Sequence, residues 1–120
     1  MIPHLADARR ALAALLERGT LHGVDAVYDN ETDRECSGPC YVTVAVEAVR
    51  PTEIVLAVRV YSQIADGTTD ATETLETAVE SVDDRLAEEA IGPSEWQIAL
   101  QPEIGCMVAR CLTVAGRETF

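Results

Sequence analysis

The sequence lacks several features that mark common functional classes. It contains no lysine, which excludes the Walker phosphate-binding loop, and it has no G-x-S-x-G motif of a serine hydrolase. Its nine basic residues are all arginines and face 21 acidic residues, which gives a formal net charge of -12. This charge disfavours a partner that is held through phosphate contacts, such as a nucleic acid.

Long apolar runs are also missing. No stretch approaches the roughly 20 apolar residues that a membrane-spanning helix requires. The first residues, MIPHLADARRAL, do not have the basic-then-apolar order of a secretory signal. We therefore expect a protein that is made in the cytoplasm and has no membrane partner. Its 120 residues, 48% of them hydrophobic, predict a single domain over residues 1–120 that folds without metal or disulfide cross-links.

Four cysteines are the main candidates for metal or redox chemistry, and their spacing argues against both. Cys106 and Cys111 lie five residues apart in an apolar strand, so they should face opposite sides of the sheet. Cys36 and Cys40 precede a strand, whereas a redox pair is typically a C-x-x-C turn at the start of a helix. We expect no cofactor, no metal and no catalytic residue. A disulfide between Cys36 and Cys40 remains open in an oxidising environment.

Apolar periodicity predicts two helices. The first is expected from Pro3 to Arg18, with an apolar face formed by Leu5, Ala8, Leu12, Leu15 and Leu16. The second is expected from Asp70 to about Glu89, because Asp70 and Glu73 form a capping-box pattern. Its apolar stripe consists of Leu75, Ala78, Val79, Val82 and Leu86.

Alternating and apolar segments predict the strands, which are Val24–Tyr28, Tyr41–Val49, Glu53–Ser62, Trp96–Leu100 and Ile104–Val114. The second and third strands form a hairpin. Their core-facing positions are Val42, Val44, Val46 and Ala48 on the second strand and Ile54, Leu56, Val58 and Val60 on the third. Polar loops are expected at Asp29–Pro39 and Gln63–Thr69. The order α-β-β-β-α-β-β predicts an α+β fold, a two-layer α/β sandwich with two helices packed on one face of a mostly antiparallel sheet.

Two surfaces stand out as candidates for contacts with other molecules. The side of the third strand that faces away from the core is also largely apolar, so something should cover it; its residues are Val55, Ala57, Arg59 and Tyr61. An acidic stripe follows the second helix through Glu73, Glu76, Glu80, Asp83 and Asp84. This stripe is either a solvated face, a surface that meets arginines of another copy, or the lining of a channel.

The element order carries a resemblance to a known family. A first helix, a polar loop, a strand pair and a second amphipathic helix are followed by the pattern AVESVDDRLAEE…EWQIALQPE…CMVARCLTVAGRE. This arrangement, which covers most of the chain, resembles the small tail terminator proteins of long-tailed, siphovirus-type bacteriophages. The family needs no cysteines, so those of this chain are a departure from it.

The resemblance implies a structural virion protein without enzymatic activity. In that family, copies of an α/β sandwich form a hexameric ring that caps the tail tube, stops its polymerisation and joins the tail to the head. The implied partners are further copies of the chain, the tail tube protein and a head–tail connector or stopper protein, while DNA passes through the ring without specific binding. The implied location is the tail or neck of the virion, assembled in the host cytoplasm.

The resemblance directs the choice of interface residues. We expect contacts through Val55, Ala57, Arg59 and Tyr61 and through the loop residues Asp29, Asn30, Gln63, Asp66 and Thr68. Glu73, Glu76 and Glu80 are expected to face the channel. Three alternatives stay open: another phage neck or head–tail joining protein, a small zinc- or thiol-dependent binding module, and an acidic adaptor that mimics nucleic acid.

Overall fold

The computed structural model describes residues 5–18, 21–30, 40–64, 70–89, 91, 95–102 and 105–116. Its two helices are α1 (Leu5–Glu17) and α2 (Asp70–Glu88). Its strands are β1 (Ala26–Tyr28), β2 (Cys40–Val49), β3 (Glu53–Gln63), β4 (Gln97–Gln101) and β5 (Cys106–Gly116). The predicted α+β class and the order of elements are confirmed, with strand ends that shift by one or two residues.

The five strands form one sheet in the order β1-β2-β3-β5-β4. β1 runs parallel to β2, and the other neighbours are antiparallel. The predicted hairpin β2–β3 is therefore present, and β4 and β5 form a second hairpin. Gly105 lies in the turn before β5 with a φ of 65°, a left-handed conformation that favours glycine. Because β5 pairs with β3 along its whole length, β4 is left at the edge of the sheet.

Both helices pack on one face of the sheet, which we call the inner face; the opposite side is the outer face. α1 lies mainly over β1 and β2, and α2 lies over β3 and β5. The predicted stripe of α2 is confirmed, since Leu75, Ala78, Val82 and Leu86 are buried and Val79 packs against them. They meet the buried β-strand residues Val42, Val44, Ile54, Leu56, Val58, Val60, Ala109 and Cys111.

The face of α1 differs from the prediction at its first turn. Of the residues on the predicted apolar face, Leu12 and Leu16 are buried, whereas Leu5 is 38% exposed. Ala13 is buried instead. At the other end of the helix, the backbone carbonyl of Leu15 accepts hydrogen bonds from the N–H of Arg18 and from the Arg85 guanidinium of α2, each at 3.3 Å, so Arg85 ties α2 to the C-terminus of α1.

A register shift in β2 changes which residues share a face. Val46 pairs with Leu56, but the next pair joins Ala48 to Val55, so Glu47 is an extra residue in a β-bulge. Directly opposed residues lie on the same side of a sheet. Ala48 therefore lies on the outer face with Val55, and its predicted place in the core was wrong.

Several predictions fall on residues that the structure does not describe. The greater part of both expected loops lies there, in residues 31–39 and 65–69. The same holds for Pro3 and Gly19 at the two ends of the first predicted helix, and for the side chain of Asp70 in the predicted capping box. Gln63, expected in a loop, is the last residue of β3.

The layer contact between α2 and the sheet leads to a first prediction. Leu75 is 1% exposed, so Leu75→Ala should lower the free energy of unfolding by about 2–5 kcal/mol through lost burial and an unfilled cavity. Leu5→Ala is the matched control, because Leu5 is 38% exposed and the substitution should cost less than about 1 kcal/mol. Urea unfolding of both variants measures this. An equal loss of unfolding free energy in both variants would contradict the packing of Leu75 of α2 in the core.

Candidate functional site

The outer face carries a small aromatic cluster. The rings of Tyr41 and Tyr61 stack with centroids 4.9 Å apart, and Tyr28 meets Tyr41 edge-on at 6.1 Å. Cys106 and Val108 are buried in the same cluster. These residues meet because β1, β2, β3 and β5 are neighbours in the sheet, and residues that point outward from neighbouring strands lie side by side. The outer face thus has an apolar cluster of its own at this end of the sheet.

Further along the outer face, a glutamate bridges two arginines. Glu47 accepts hydrogen bonds through Oε2 from Nη2 of Arg59 at 3.3 Å and through Oε1 from Arg110. Arg59 and Arg110 are directly opposed on β3 and β5. Two like charges at opposed positions repel, and the bulge at Glu47 places a carboxylate between them. The sequence shows these charges, but no pattern in it reveals the bulge that joins them.

The predicted interface residues of β3 lie on the outer face, and three of them are already covered within the chain. Val55, Ala57 and Tyr61 are 5%, 0% and 6% exposed, and Arg59 is bound to Glu47. A neighbouring copy can therefore bury little more of these three side chains. Their role in an interface remains a prediction. Among the described residues of this face, the large apolar side chains that are exposed are Leu112 and Val114, at 44% and 53%.

The predicted loop contacts do not form one patch. Asp29 lies just after β1, where its carboxylate is 3.7 Å from Nε of Arg10 and accepts a hydrogen bond from Asn30. Gln63 lies at the far end of β3 opposite Cys106, and β1 runs away from that end. Asp66 and Thr68 lie outside the described residues.

The acidic stripe of α2 has two parts. Glu73, Glu76 and Glu80 are exposed, as expected for either a solvated or a channel-facing surface. Asp83 instead accepts a hydrogen bond from the indole Nε1 of Trp96 at 3.0 Å. This bond ties the segment before β4 to α2, so Asp83 has a structural partner and is not simply a solvated charge.

The described cysteines are distributed over both faces of the sheet. Cys40 and Cys111 are buried on the inner face, and Cys106 is buried on the outer face, which confirms the predicted separation of Cys106 from Cys111. Cys36 lies outside the described residues. Among the residues that the structure describes, no group of three or more histidine, cysteine and acidic side chains could hold a metal ion.

Besides its buried side chain, Cys40 contributes backbone hydrogen bonds that join the start of β2 to Asp25, the residue before β1. Its backbone N–H donates to Oδ2 of Asp25 at 2.9 Å, and its carbonyl accepts from the N–H of Asp25 at 2.8 Å. Burial of the thiol, together with the nearby Asp25 carboxylate, raises the pKa of Cys40 from 9.0 to about 12. A thiol with this pKa is protonated at neutral pH and is a poor nucleophile and metal ligand.

The most exposed apolar element is the edge strand β4. Ile98 and Leu100 are 52% and 58% exposed, although they point to the inner face like their partners Ala109 and Met107 on β5. They lie beyond α2, so neither α1 nor α2 covers them. The sequence pattern predicts this strand, but its residues were not among the expected contact residues. The available signal was the segment Gln97–Gln101, a strand without any charged residue.

Comparison with known proteins gives no relative from which a function could be transferred: no family profile matches the chain, and no curated protein sequence matches it significantly. Within the described part of the chain, neither helix combines the length and apolar character needed to cross a membrane.

The buried thiol of Cys40 predicts a pH dependence of stability. Its pKa is about 12 when folded and close to 9.0 when exposed, so unfolding releases a proton above pH 9. The contribution of this thiol is fully present below pH 9 and is lost as the pH rises towards 12, by up to about 1.4 kcal/mol per pH unit. Urea unfolding of wild type and Cys40→Ala between neutral and alkaline pH measures it. The wild type should lose stability relative to the variant above pH 9; a difference that stays constant would contradict the burial of this thiol.

Proposed function

We propose that this protein is a structural assembly subunit of the phage tail terminator type, which forms a ring on the tail tube, stops its polymerisation and joins the tail to the head connector. The observation that carries the proposal is the exposed apolar edge strand β4, where Ile98 and Leu100 are more than half exposed. An exposed apolar edge strand favours aggregation unless another chain covers it. A subunit that is built to assemble has such a surface.

The fold supports the proposal at the level of architecture. The two-layer sandwich has the element order on which the resemblance to tail terminators rests, with both helices on one face. A ring needs a head-to-tail contact between two different patches. The chain offers exposed apolar side chains at separate places, Ile98 and Leu100 at one sheet edge and Leu112 and Val114 on the outer face.

The charge distribution supports a channel through which DNA moves without binding. Glu73, Glu76 and Glu80 form an exposed acidic surface on α2, and the whole chain carries -12. If this surface lines the ring, it repels the phosphate backbone. The proposed partners are therefore other copies, the tail tube protein and the head–tail connector or stopper, and the proposed location is the virion neck.

A thiol- or zinc-dependent module has less support. Cys106 and Cys111 lie on opposite faces of β5, and burial raises the pKa of Cys40 to about 12. These positions do not converge on one ion, so we give the assembly role preference.

Light scattering across protein and salt concentration tests the proposed function. Copies with a charge of -12 repel each other, so ring formation should be favoured when salt shortens the Debye length to about 8 Å or less. We expect no ring in dilute, low-salt buffer, and a particle of about six subunits on tail tubes, where salt favours ring closure. The absence of any particle larger than a dimer under all these conditions, tail tubes included, would overturn the ring assignment.

A pair of charge variants tests the channel surface. Glu76→Gln with Glu80→Gln removes two exposed charges from α2, and Asp7→Asn with Glu17→Gln removes two exposed charges from α1. If α2 lines the channel, rings of the first variant should retain more DNA than wild type in a filter-binding assay, whereas rings of the second should not. Equal retention by both variants would place α2 outside the channel.

A further inference from the structure

The edge strand β4 has the composition of a strand that pairs with another strand. Within the described part of the chain, it pairs only with β5, so its other side presents open backbone groups. Natural edge strands are usually protected by charged residues, proline or a bulge. The five residues of β4 contain no charge and no proline, and their register with β5 is continuous. Pro102 follows directly and, because it has no N–H, ends the usable edge.

The sequence of β4 is nearly a palindrome. Gln97-Ile98-Ala99-Leu100-Gln101 reads as glutamine, aliphatic, alanine, aliphatic and glutamine in both directions. We propose that β4 pairs antiparallel with β4 of a second copy, about a two-fold axis that passes beside Ala99. This contact joins the two five-stranded sheets into one continuous sheet.

The two-fold register places chemically matched residues opposite each other. With Ala99 facing its own copy, Ile98 lies across from Leu100 of the second copy, and Gln97 lies across from Gln101 of the second copy. A two-fold axis perpendicular to the sheet keeps the inner faces of both copies on the same side. The four aliphatic side chains, each more than half exposed in the single chain, then form one apolar cluster. The glutamines project to the outer face beside Ala99, where their amides can hydrogen-bond to each other.

Charge and area together predict the strength of this pair. No charged residue lies within β4, so the pairing itself places no like charges in register. The strand is only about 17 Å long, and a contact of this length buries well under the roughly 800 Å² per partner of a standard stable interface. The pair should therefore be reversible. Salt should strengthen it, because each copy carries -12 and the exposed acidic residues of both α2 helices lie on the same side of the joined sheet.

This pair does not depend on the proposed ring. A two-fold contact uses the same patch on both copies and closes after two subunits, whereas a ring requires two different patches. The free subunit can therefore dimerise whether or not the chain terminates a tail. If the β4 pair does not form, the ring assignment is unaffected. If the ring does not form, the proposed β4 pair is unaffected.

Sedimentation equilibrium of the isolated protein tests the surface. Leu100→Lys introduces a charge and removes an apolar contact on each side, so the monomer–dimer dissociation constant should rise by at least about tenfold. Val49→Lys is the matched control, because Val49 is similarly exposed at 46% but lies at the end of β2, which β3 and β5 separate from β4. Its dissociation constant should stay within about twofold of wild type. Circular dichroism checks that both variants are folded, as expected for substitutions at exposed positions.

Cysteine cross-linking tests the register. In the proposed pair, Ala99 faces Ala99 of the second copy across an antiparallel ladder, at a Cα separation of about 4.5–5.5 Å, which suits a disulfide. Ala99→Cys should therefore form covalent dimers under mild oxidation much faster than Gln97→Cys, whose counterpart in the second copy is Gln101. The wild-type protein under the same conditions accounts for the native cysteines.

Four outcomes would overturn the proposal. The first is a monomer at all concentrations and salt levels, and the second is a dimer that Leu100→Lys leaves intact. The third is equal cross-linking at positions 97 and 99, which would contradict the two-fold register. An assembly larger than a dimer that Leu100→Lys abolishes would replace the two-fold pair with a ring contact at the same strand.

Discussion

The structure depends on the burial of β3 from both sides. Along this strand, Ile54 and Val58 point to the inner face and are fully buried, while Ala57 and Tyr61 point to the outer face and are nearly so. A strand with two apolar sides is stable only when both faces of the sheet are covered. α2 and α1 cover the inner side. The tyrosine cluster and the Glu47 bridge to Arg59 and Arg110 lie on the outer side.

The width of the helix layer explains why one strand is left open. Two helices side by side, each about 10 Å across, cover about 20 Å, and strands spaced at about 4.8 Å fill that width with four strands. The fifth strand, β4, then lies beyond the helices. Its inward-pointing Ile98 and Leu100 remain exposed for this reason, although the tie between Trp96 and Asp83 anchors the segment that leads into it. The exposed edge is thus a consequence of the layer geometry, and it is the surface on which both proposals about assembly rest.

Local pattern was sufficient to predict the elements and most of the inner face. The α2 stripe and the alternation Ile54, Leu56, Val58 and Val60 depend only on periodicities of 3.6 and 2, which the sequence displays directly. The separation of Cys106 from Cys111 followed from the same period. These features could be predicted because each depends on residues that are close together in the chain.

Features that depend on strand order or on a single irregular residue could not be predicted. The hairpin β4–β5 can dock onto β3 through either strand, and the sequence does not show that β5 takes the central place; the exposure of Ile98 and Leu100 follows from that choice. The bulge at Glu47 shifted Ala48 to the outer face without any glycine or proline to mark it. The burial of Val55 and Ala57 likewise depends on neighbours from other strands.

Hydrogen exchange of the β4 amides tests most directly whether this edge is a contact surface. In an antiparallel ladder about every second amide of β4 already donates to β5, and the others point away from it. We expect these outward-pointing amides to exchange fast in dilute, low-salt protein and to become protected in concentrated, high-salt protein, while the amides of β3 are equally protected in both. Fast exchange of the outward-pointing amides at every concentration and salt level would contradict this expectation, because the open edge would then meet no other chain.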